Sequence, residues 1–423
     1  VLGVEVGRPA LQTLTDGQLV GGWVGMVRRR DQGERDQDDG CKAATEHLMI
    51  HSAAMRKGVQ SVIGSGRDFA STRNTRESGW RAFAGCVLTA VYLVAMAVPA
   101  LAQDREKLEA VGLRRIAFAD GDRTLALSMF YPARSDGTAE PFVFPFSINI
   151  RVLGDAPPLD GPRRPLILFS HGRGSNGLLY AWFAEHLAAR GFVVAAIDHY
   201  RANSYDATIA YLANRLWQRP LDLSAAISFL LRDPDWRALI DSDRIGVAGH
   251  SQGGFTALWI GGAEVSAEGY RAFQEGWRNN RMVPEHLRRD LPVDPTPALS
   301  VRDSRVKAVF AMAPGIVKAF GMDEAGLRRM TIPAYITVGA ADTQTPPAPN
   351  AAFAAAHIPR ARLVILPGAV DHEIFVNECN EDGRNEFPEA CIDPPGVDRG
   401  ALHAAIGGAA VKFLREALSV PSP

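Results

Sequence analysis

The stretch RIGVAGHSQGG, residues 244–254, constrains the fold more than any other part of the chain. A short apolar run ends at Gly249 and a helix-like apolar pattern begins after Gly253, so Ser251 lies on a turn between a strand and a helix. Glycines on both sides of one hydroxyl indicate that strand and helix approach each other very closely. This pattern is typical of a nucleophile elbow, in which a strained turn lifts a serine above a sheet. A glycine-rich turn with an incidental serine is the alternative.

The chain after residue 112 alternates predicted strands and helices. Residues 115–119 and 124–131 predict an antiparallel pair around a turn at 120–122. Apolar runs predict further buried strands at 165–171, 192–199, 244–250, 306–314, 332–340 and 362–368. Helical patterns occur at 178–191, 221–233, 251–261 and 399–418. Continuously apolar strands separated by helices favour a mostly parallel sheet covered on both faces, which together with the elbow predicts an α/β-hydrolase fold.

The elbow needs partners, because a serine is a poor nucleophile unless a base takes its proton. In this fold an acid and then a histidine follow the serine along the chain, each in a loop after a strand. Asp342 follows the strand predicted at 332–340, and His372 follows the one at 362–368. We therefore expect Ser251, Asp342 and His372 to meet at one edge of the sheet as a catalytic triad, with Asp342 orienting the imidazole.

Other residues compete for the roles of acid and base. Asp371 adjoins His372, but side chains of adjacent residues seldom meet well. His250 adjoins the serine, but the geometry of an elbow turns neighbouring side chains away from the hydroxyl. His357 and His403 fall in predicted helices, where helix packing or a surface position accounts for them.

Backbone amides are expected to stabilise the oxyanion of the reaction. One donor should be the N–H of Gln252, directly after the nucleophile, and the other the N–H of Arg173 in the loop His171-Gly172-Arg173-Gly174. An ordinary strand-to-helix turn is the alternative for this loop. His171 and His199 are expected to shape the floor of the pocket or to be hydrogen-bonded polar groups without a catalytic role.

Residues 264–304 interrupt the alternation of strands and helices with arginines, prolines and Trp277. They predict a partly helical cap insertion that overhangs the carboxyl ends of the strands, where ligands bind in such sheets. Phe255, Trp259 and Trp277 are candidates for the substrate pocket, and core packing is the alternative for all of them. An apolar pocket would favour an apolar acyl or alkyl group.

The first hundred residues have a different character. Residues 1–80 show no sustained periodicity and predict an N-terminal extension that is disordered or not native, with Met55 as an alternative start. Residues 81–102 combine a basic approach, an apolar run and small residues before Gln103, which predicts a signal peptide cleaved after Ala102. Residues 103–423 would then form a periplasmic or secreted hydrolase domain without a stable membrane span. An uncleaved membrane anchor is the alternative.

Cysteine content and charge limit the remaining possibilities. Cleavage would leave Cys379 and Cys391, and two cysteines about a dozen residues apart in an exported protein indicate one disulfide. A pair of buried thiols is the alternative. The formal net charge of −1 gives no indication of a nucleic-acid partner. We expect no metal and no organic cofactor.

Several motifs in order resemble a known family. RPLILFSHGRGSN, RPLDLSAAISFLLRD, GHSQGG, GAADTQTP and CIDPPGVDRGALH are similar to those of exported bacterial α/β-hydrolases. These are often described as predicted dienelactone hydrolases and are related to platelet-activating-factor acetylhydrolase. The resemblance covers about residues 110–418 and implies a serine hydrolase with Ser251, Asp342 and His372, and a cysteine loop beside the histidine. Dienelactone hydrolases use a cysteine nucleophile, so the resemblance to them says little about the substrate.

The sequence therefore predicts a serine esterase that cleaves small-molecule or lipid carboxylic esters through an acyl-enzyme. A lipase or phospholipase A2-like activity that removes a short acyl chain is the first alternative, and a polyester hydrolase is the second. A non-catalytic binding protein on the same fold is a further alternative, since fold alone does not determine function.

Overall fold

The computed structural model describes residues 108–210, 215–278, 285 and 300–420. Within this part of the chain, nine strands form one sheet. In chain order they are β1 (Ala110–Asp120), β2 (Arg123–Ala133), β3 (Leu153–Gly154), β4 (Arg164–Ser170), β5 (Val193–Asp198), β6 (Ile240–His250), β7 (Val306–Met312), β8 (Ala334–Gly339) and β9 (Ala361–Leu366). The predicted N-terminal extension (1–80) and signal peptide (81–102) lie outside the described residues.

Helices connect the strands. They are α1 (Ala181–Ala188), α2 (Gln218–Arg232), α3 (Pro234–Leu239), α4 (Gln252–Ile260), α5 (Ala267–Arg278), α6 (Glu324–Arg328), α7 (Phe353–His357), α8 (Glu381–Glu386), α9 (Pro388–Cys391) and α10 (Arg399–Ala417). Short 3₁₀ turns occur at Gly177–Tyr180 and Glu373–Phe375. No helix in the described part of the chain is long and apolar enough to cross a bilayer.

The strand order is β3-β1-β2-β5-β4-β6-β7-β8-β9. The strands from β5 to β9 in this order run parallel, whereas β2 pairs antiparallel with both β1 and β5. The α/β-hydrolase fold predicted from the sequence, including the antiparallel pair at its start, is confirmed.

Strand β6 carries the elbow and lies inside the sheet between β4 and β7. Its Gly249 is in register with Ser170 at the end of β4 and with Ala311 near the end of β7. Parallel strands in register end at the same edge of the sheet, so the loops that follow β4, β6 and β7 emerge side by side. This edge holds the candidate site.

The centre of the sheet is buried on both faces. All residues of β5 and β8 are buried, which explains why these strands are mostly apolar instead of alternating with polar residues; Asp198 at the end of β5 and Thr337 in β8 are the exceptions. Strand β9 ends the sheet and is only partly buried. Apolar strands in the middle of the sheet thus give the elbow a rigid support.

Candidate active site

The elbow at Ser251 has the strained backbone that the sequence predicts. Ser251 has φ 56° and ψ −120° and immediately precedes the first residue of α4. A Cβ on Gly253 would lie 1.8 Å from the carbonyl oxygen of Ser170, and one on Gly249 would lie 2.4 Å from the carbonyl oxygen of Gly253. No side chain fits at either position, so the two glycines are required by the close approach of α4 to β6 and β4.

A cavity of about 440 Å³ lies at this elbow, and both Ser251 and His372 contribute to its wall. The wall is apolar on one part of its surface, through Phe146, Leu179, Ile316, Val376 and Phe387. Polar residues in the wall include Arg173, Gln344, Glu373 and Asn377. The cavity has the size and mixed chemistry of a small-molecule site.

Asp342 and His372 form a buried pair beside this cavity. His372 Nδ1 lies 2.7 Å from Asp342 Oδ2, and both side chains are almost fully buried. Burial acts to raise the pKa of Asp342, but hydrogen bonds from His372 and Thr345 and the charge of His372 outweigh it, so this pKa lies below its usual value. Asp342 is therefore ionised at neutral pH, and His372 Nδ1 is the donor of the bond.

Thr345 is a partner of Asp342 that the sequence analysis missed. Its backbone N–H donates to Asp342 Oδ1 at 2.7 Å, and its hydroxyl donates to Oδ2 at 2.7 Å. The hydroxyl oxygen also lies 3.2 Å from His372 Nδ1. A threonine three residues after an aspartate in a strand-end loop is the signal that could have indicated this turn. These bonds fix the carboxylate that orients His372.

The loop of His372 is attached to the elbow through His250. The rings of His250 and His372 pack with their centroids 4.5 Å apart, and His250 Nε2 lies 3.1 Å from the backbone oxygen of His372. His250 is thus occupied with the histidine loop, as expected for the residue before an elbow serine. Ser251 and His372 consequently belong to neighbouring, connected segments of one cavity wall.

The predicted oxyanion donors belong to the same cavity wall. Gln252 is the first residue of α4, where backbone N–H groups have no partner within the helix. Arg173 lies in the loop after β4, and both residues line the cavity. The carbonyl of Gly172, in the same peptide unit as the Arg173 N–H, lies 2.7 Å from His171 Nδ1. The roles of Gln252 and Arg173 remain predictions.

A second Ser–His–Asp chain lies below the cavity. Ser170 Oγ is 2.8 Å from His199 Nε2, and His199 Nδ1 is 3.0 Å from Asp222 Oδ2. Ser170 and His199 have no exposed surface and are absent from the cavity wall, so no substrate can reach this hydroxyl. Ser170 also accepts a hydrogen bond from Arg219. This chain fits a structural role, whereas Ser251 is accessible.

Arg219 links the predicted oxyanion loop to the first turn of α4. Its guanidinium donates to the backbone oxygen of His171 and, at 3.3 Å, to Thr256 Oγ1. The Thr256 hydroxyl in turn donates to the backbone oxygen of Gln252 at 2.8 Å. His171 is buried and contacts the backbone N–H of His199, so both histidines are hydrogen-bonded polar groups and not part of the pocket floor.

The predicted pocket residues need correction. Phe255 and Trp259 are each 1% exposed and pack edge-to-face against Phe320 in the core, away from the cavity wall. The side chain of Trp277 lies outside the described residues. Helix α4 is apolar on all sides, so its sequence does not indicate which face meets the cavity.

The cap insertion, predicted at 264–304, is described at 264–278, 285 and 300–304. None of these described residues contributes to the cavity wall. Tyr270 and Phe273 instead pack against Phe320, and the Ser266 N–H donates to the Gly321 oxygen at 2.8 Å. This part of the insertion packs on Phe320, which in turn contacts α4, and it does not contribute to the site as expected.

The cavity wall comes instead from segments that the sequence analysis did not assign to it. One is the loop after β2, which contributes Phe146 and Ser147, and the other is the segment from Cys379 to Cys391. The predicted disulfide between Cys379 and Cys391 is confirmed. It closes a loop of wall residues beside His372.

The competing acids and bases have other partners. Asp371 accepts from the Glu373 N–H. His403 stacks on Trp182 with centroids 3.8 Å apart, and His357 Nδ1 lies 2.9 Å from the Phe353 oxygen. Asp371, His357 and His403 are not part of the cavity wall, whereas His372 is, and its Nδ1 is held by Asp342.

Comparison with known proteins supports this assignment of the fold. Residues 147–219 match the model of the family platelet-activating factor acetylhydrolase, isoform II. The matched segment contains the predicted oxyanion loop and ends before Ser251. The chain is 29% identical over 152 residues to a platelet-activating factor acetylhydrolase from Cavia porcellus, covering 26% of this chain and 35% of that protein. It is also 30% identical over 148 residues to the acetylhydrolase from Canis lupus familiaris, covering 25% and 33%.

The chain thus matches only about a third of the length of these acetylhydrolases. Esterase YjfP from Escherichia coli is 37% identical over 102 residues, covering 23% of this chain and 39% of that protein. A ferulic acid esterase from Streptomyces cinnamoneus superposes with a TM-score of 0.52 at 20% identity, covering 77% of this chain and 94% of that one. The chain has the α/β-hydrolase fold, and part of it is similar to platelet-activating factor acetylhydrolases.

Proposed function

We propose that the protein is a serine hydrolase that cleaves carboxylic esters through Ser251, His372 and Asp342. The observation that carries this proposal is that a strained elbow serine and the histidine of a buried His–Asp pair both contribute to the wall of one cavity. The relatives named acetylhydrolase and esterase support the same class of reaction.

The reaction would proceed in two steps. His372 Nε2 takes the proton of the Ser251 hydroxyl while Oγ attacks the ester carbonyl, and the N–H groups of Gln252 and Arg173 hold the oxyanion. The proton passes to the departing alcohol and leaves an acyl group on Ser251. Water, activated by His372, then releases the carboxylic acid and restores the hydroxyl. Asp342 stabilises the imidazolium in both steps.

The cavity also supports a second candidate, removal of a short acyl chain from a lipid. Its volume is about 440 Å³ and much of its wall is apolar, as a short acyl or alkyl group requires. The similarity to platelet-activating factor acetylhydrolases favours this candidate over a polyester hydrolase.

Hydrolysis of an aryl ester series from acetate to palmitate tests both candidates. We expect the turnover rate to be highest for esters with short acyl chains. In Ser251→Ala and in His372→Ala, this rate should fall by at least about a thousandfold. A preference for long chains would contradict the short-acyl candidate. Turnover that survives in both variants would exclude the proposed serine mechanism, and ester binding without turnover would indicate a binding protein.

We further propose that the protein is exported to the periplasm or secreted. Disulfides persist in oxidising compartments, and the Cys379–Cys391 disulfide is consistent with a location in such a compartment. The apolar segment at 81–102 has the composition of a signal peptide. Mass spectrometry of the protein recovered outside the cytoplasm should give a mature N-terminus at Gln103; an intact N-terminal region in the cytoplasmic fraction would contradict export.

A further inference from the structure

Two buried side chains connect the predicted oxyanion loop to the loop of His372. The backbone N–H of Gly172 lies 3.2 Å from the hydroxyl of Tyr180. That hydroxyl lies 3.0 Å from Nδ1 of His250, and Nε2 of His250 lies 3.1 Å from the backbone oxygen of His372. We call Tyr180 and His250, with these three hydrogen bonds, the Tyr180–His250 relay.

The direction of each bond in the relay is determined by its ends. The carbonyl of His372 can only accept, so Nε2 of His250 carries the proton. Burial and the neighbouring His372 hold the pKa of His250 well below its usual value, so the ring is neutral and Nδ1 is an acceptor. Tyr180 must therefore donate to Nδ1, and its oxygen is left to accept from the Gly172 N–H.

The relay is almost fully buried at the cavity wall, to which Tyr180 and His250 both contribute, and it keeps its protonation state at neutral pH. Tyr180 and His250 are each 2% exposed. Burial raises the pKa of Tyr180 to about 12, so its hydroxyl is protonated and can donate at neutral pH. The ring of Tyr180 packs on Phe169 of β4 with centroids 4.7 Å apart, which attaches the relay to the sheet.

The two ends of the relay are the two groups that must be positioned together. At one end, Gly172 precedes Arg173, whose N–H is the predicted oxyanion donor. The N–H of Gly172 is held by Tyr180 and its carbonyl by His171 Nδ1, so the orientation of the following peptide unit is fixed. At the other end, His250 Nε2 donates to the backbone carbonyl of His372, which is the proposed base.

We propose that Tyr180 and His250 are positioning residues that couple the oxyanion loop to the base loop, so that both keep their places relative to Ser251 during turnover. The inference rests on the proposed ester hydrolase function. Neither residue exchanges a proton with substrate; each acts through the backbone of Gly172 or His372.

The test measures kcat, KM and melting temperature with a short-chain aryl ester for Tyr180→Phe, His250→Leu, the double variant and His250→Gln. Displacement of a catalytic group by about 1 Å can cost about a hundredfold in rate. We expect each single variant to lower kcat by about ten- to a hundredfold with KM changed by less than about threefold. His250→Gln keeps an N–H donor for the His372 carbonyl and should recover most of the loss.

Trp182→Phe is the matched control. The indole of Trp182 donates to the Phe375 oxygen at 2.8 Å, so this variant also removes one buried bond between α1 and the loop after His372. It lies outside the relay, and we expect a lower melting temperature with kcat within about twofold of wild type. If the role of Tyr180 were purely structural, Tyr180→Phe would likewise lower the melting temperature and leave kcat within about twofold of wild type.

The double variant tests the coupling. Because either substitution interrupts the same chain of bonds, the loss in the double variant should not exceed the larger single loss by more than about threefold. The relay is refuted if either single variant keeps wild-type kcat, or if the two losses multiply. Ser251→Ala is assayed alongside: should it turn over the ester like wild type, the proposed function fails, and the relay with it.

Discussion

His372 and Asp342 are 30 residues apart in the chain and are joined by a 2.7 Å hydrogen bond from Nδ1 to Oδ2. Because Asp342 is ionised and buried, this bond selects the tautomer of His372 in which Nε2 is free to accept a proton. The two bonds from Thr345 keep the carboxylate in place. Selection of the tautomer is the contribution of Asp342 to the proposed reaction.

Asp342→Asn should therefore impair turnover without unfolding the protein. An amide in place of the carboxylate removes the charge that stabilises the imidazolium and allows the wrong tautomer, so kcat should fall by about 10³–10⁴. Steady-state ester hydrolysis measures this, with circular dichroism as the check on folding. Asp371→Asn alters the carboxylate next to His372 and should keep kcat within a few-fold; a greater loss there than in Asp342→Asn would reverse the assignment.

Gly253→Ala should destabilise the protein by more than about 3 kcal/mol, because its Cβ would overlap the backbone of Ser170. Gly408→Ala is the control, since a Cβ at this exposed position of α10 meets nothing within 4 Å. Glycine loses more conformational entropy than alanine when a helix forms, so Gly408→Ala should be more stable than wild type by about 0.5–1 kcal/mol. Denaturant unfolding measures both. Equal stability of Gly253→Ala and wild type would contradict the close packing at the elbow.

Removal of the disulfide should affect both stability and substrate binding. The pair Cys379→Ser and Cys391→Ser opens a loop with a sequence separation of 12 and should lower the free energy of unfolding by about 3 kcal/mol. Because Phe387 and other residues of this loop line the cavity, KM should rise more than kcat falls. Thermal melts and ester kinetics test this, and an unchanged KM would show that the loop does not hold the substrate.

The buried carboxyl of Asp198 gives a pH dependence of stability. Burial raises the pKa of Asp198 to about 6, against an unfolded value of about 3.9. The unfolded state therefore loses its proton first, and stability falls as pH rises from about 4 to 6. Asp198→Asn does not titrate and can still accept from the Gly177 N–H, as Asp198 does at 2.8 Å.

Relative to wild type, Asp198→Asn should gain about 2–3 kcal/mol of stability between pH 4 and pH 7. Urea unfolding at a series of pH values measures the difference. Asp122→Asn, at an exposed turn position, should show no such trend. If the difference in free energy of unfolding between Asp198→Asn and wild type did not change with pH, this would contradict the raised pKa of Asp198.

Residue patterns predict this structure best where local chemistry decides it. The glycines around Ser251 form a pattern that lies within a few residues of the sequence, although the backbone that excludes a side chain at Gly253 belongs to Ser170 on the neighbouring strand. Continuous apolar runs mark buried parallel strands. Asp342 and His372 follow from the rule that the ends of parallel strands meet at one edge. These inferences need no knowledge of how distant loops pack.

The pocket could not be predicted in the same way. Its wall comes from loops and very short helices, such as those around Phe146 and Phe387, which are too short for a periodicity to indicate what they contact. Phe255 and Trp259 were assigned wrongly because α4 is buried on every side, so the pattern of its apolar residues does not point to the cavity. Tyr180 reaches His250 across 70 residues of chain, a contact that only the tertiary structure shows.

Reaction with a fluorophosphonate, followed by peptide mapping, tests the central claim most directly, because both Ser170 and Ser251 in the described part of the chain adjoin a histidine. The account predicts covalent modification of Ser251 alone, loss of labelling in Ser251→Ala and His372→Ala, and full labelling in Ser170→Ala provided that it folds. Modification at Ser170, or no modification of Ser251 in the folded protein, would contradict it.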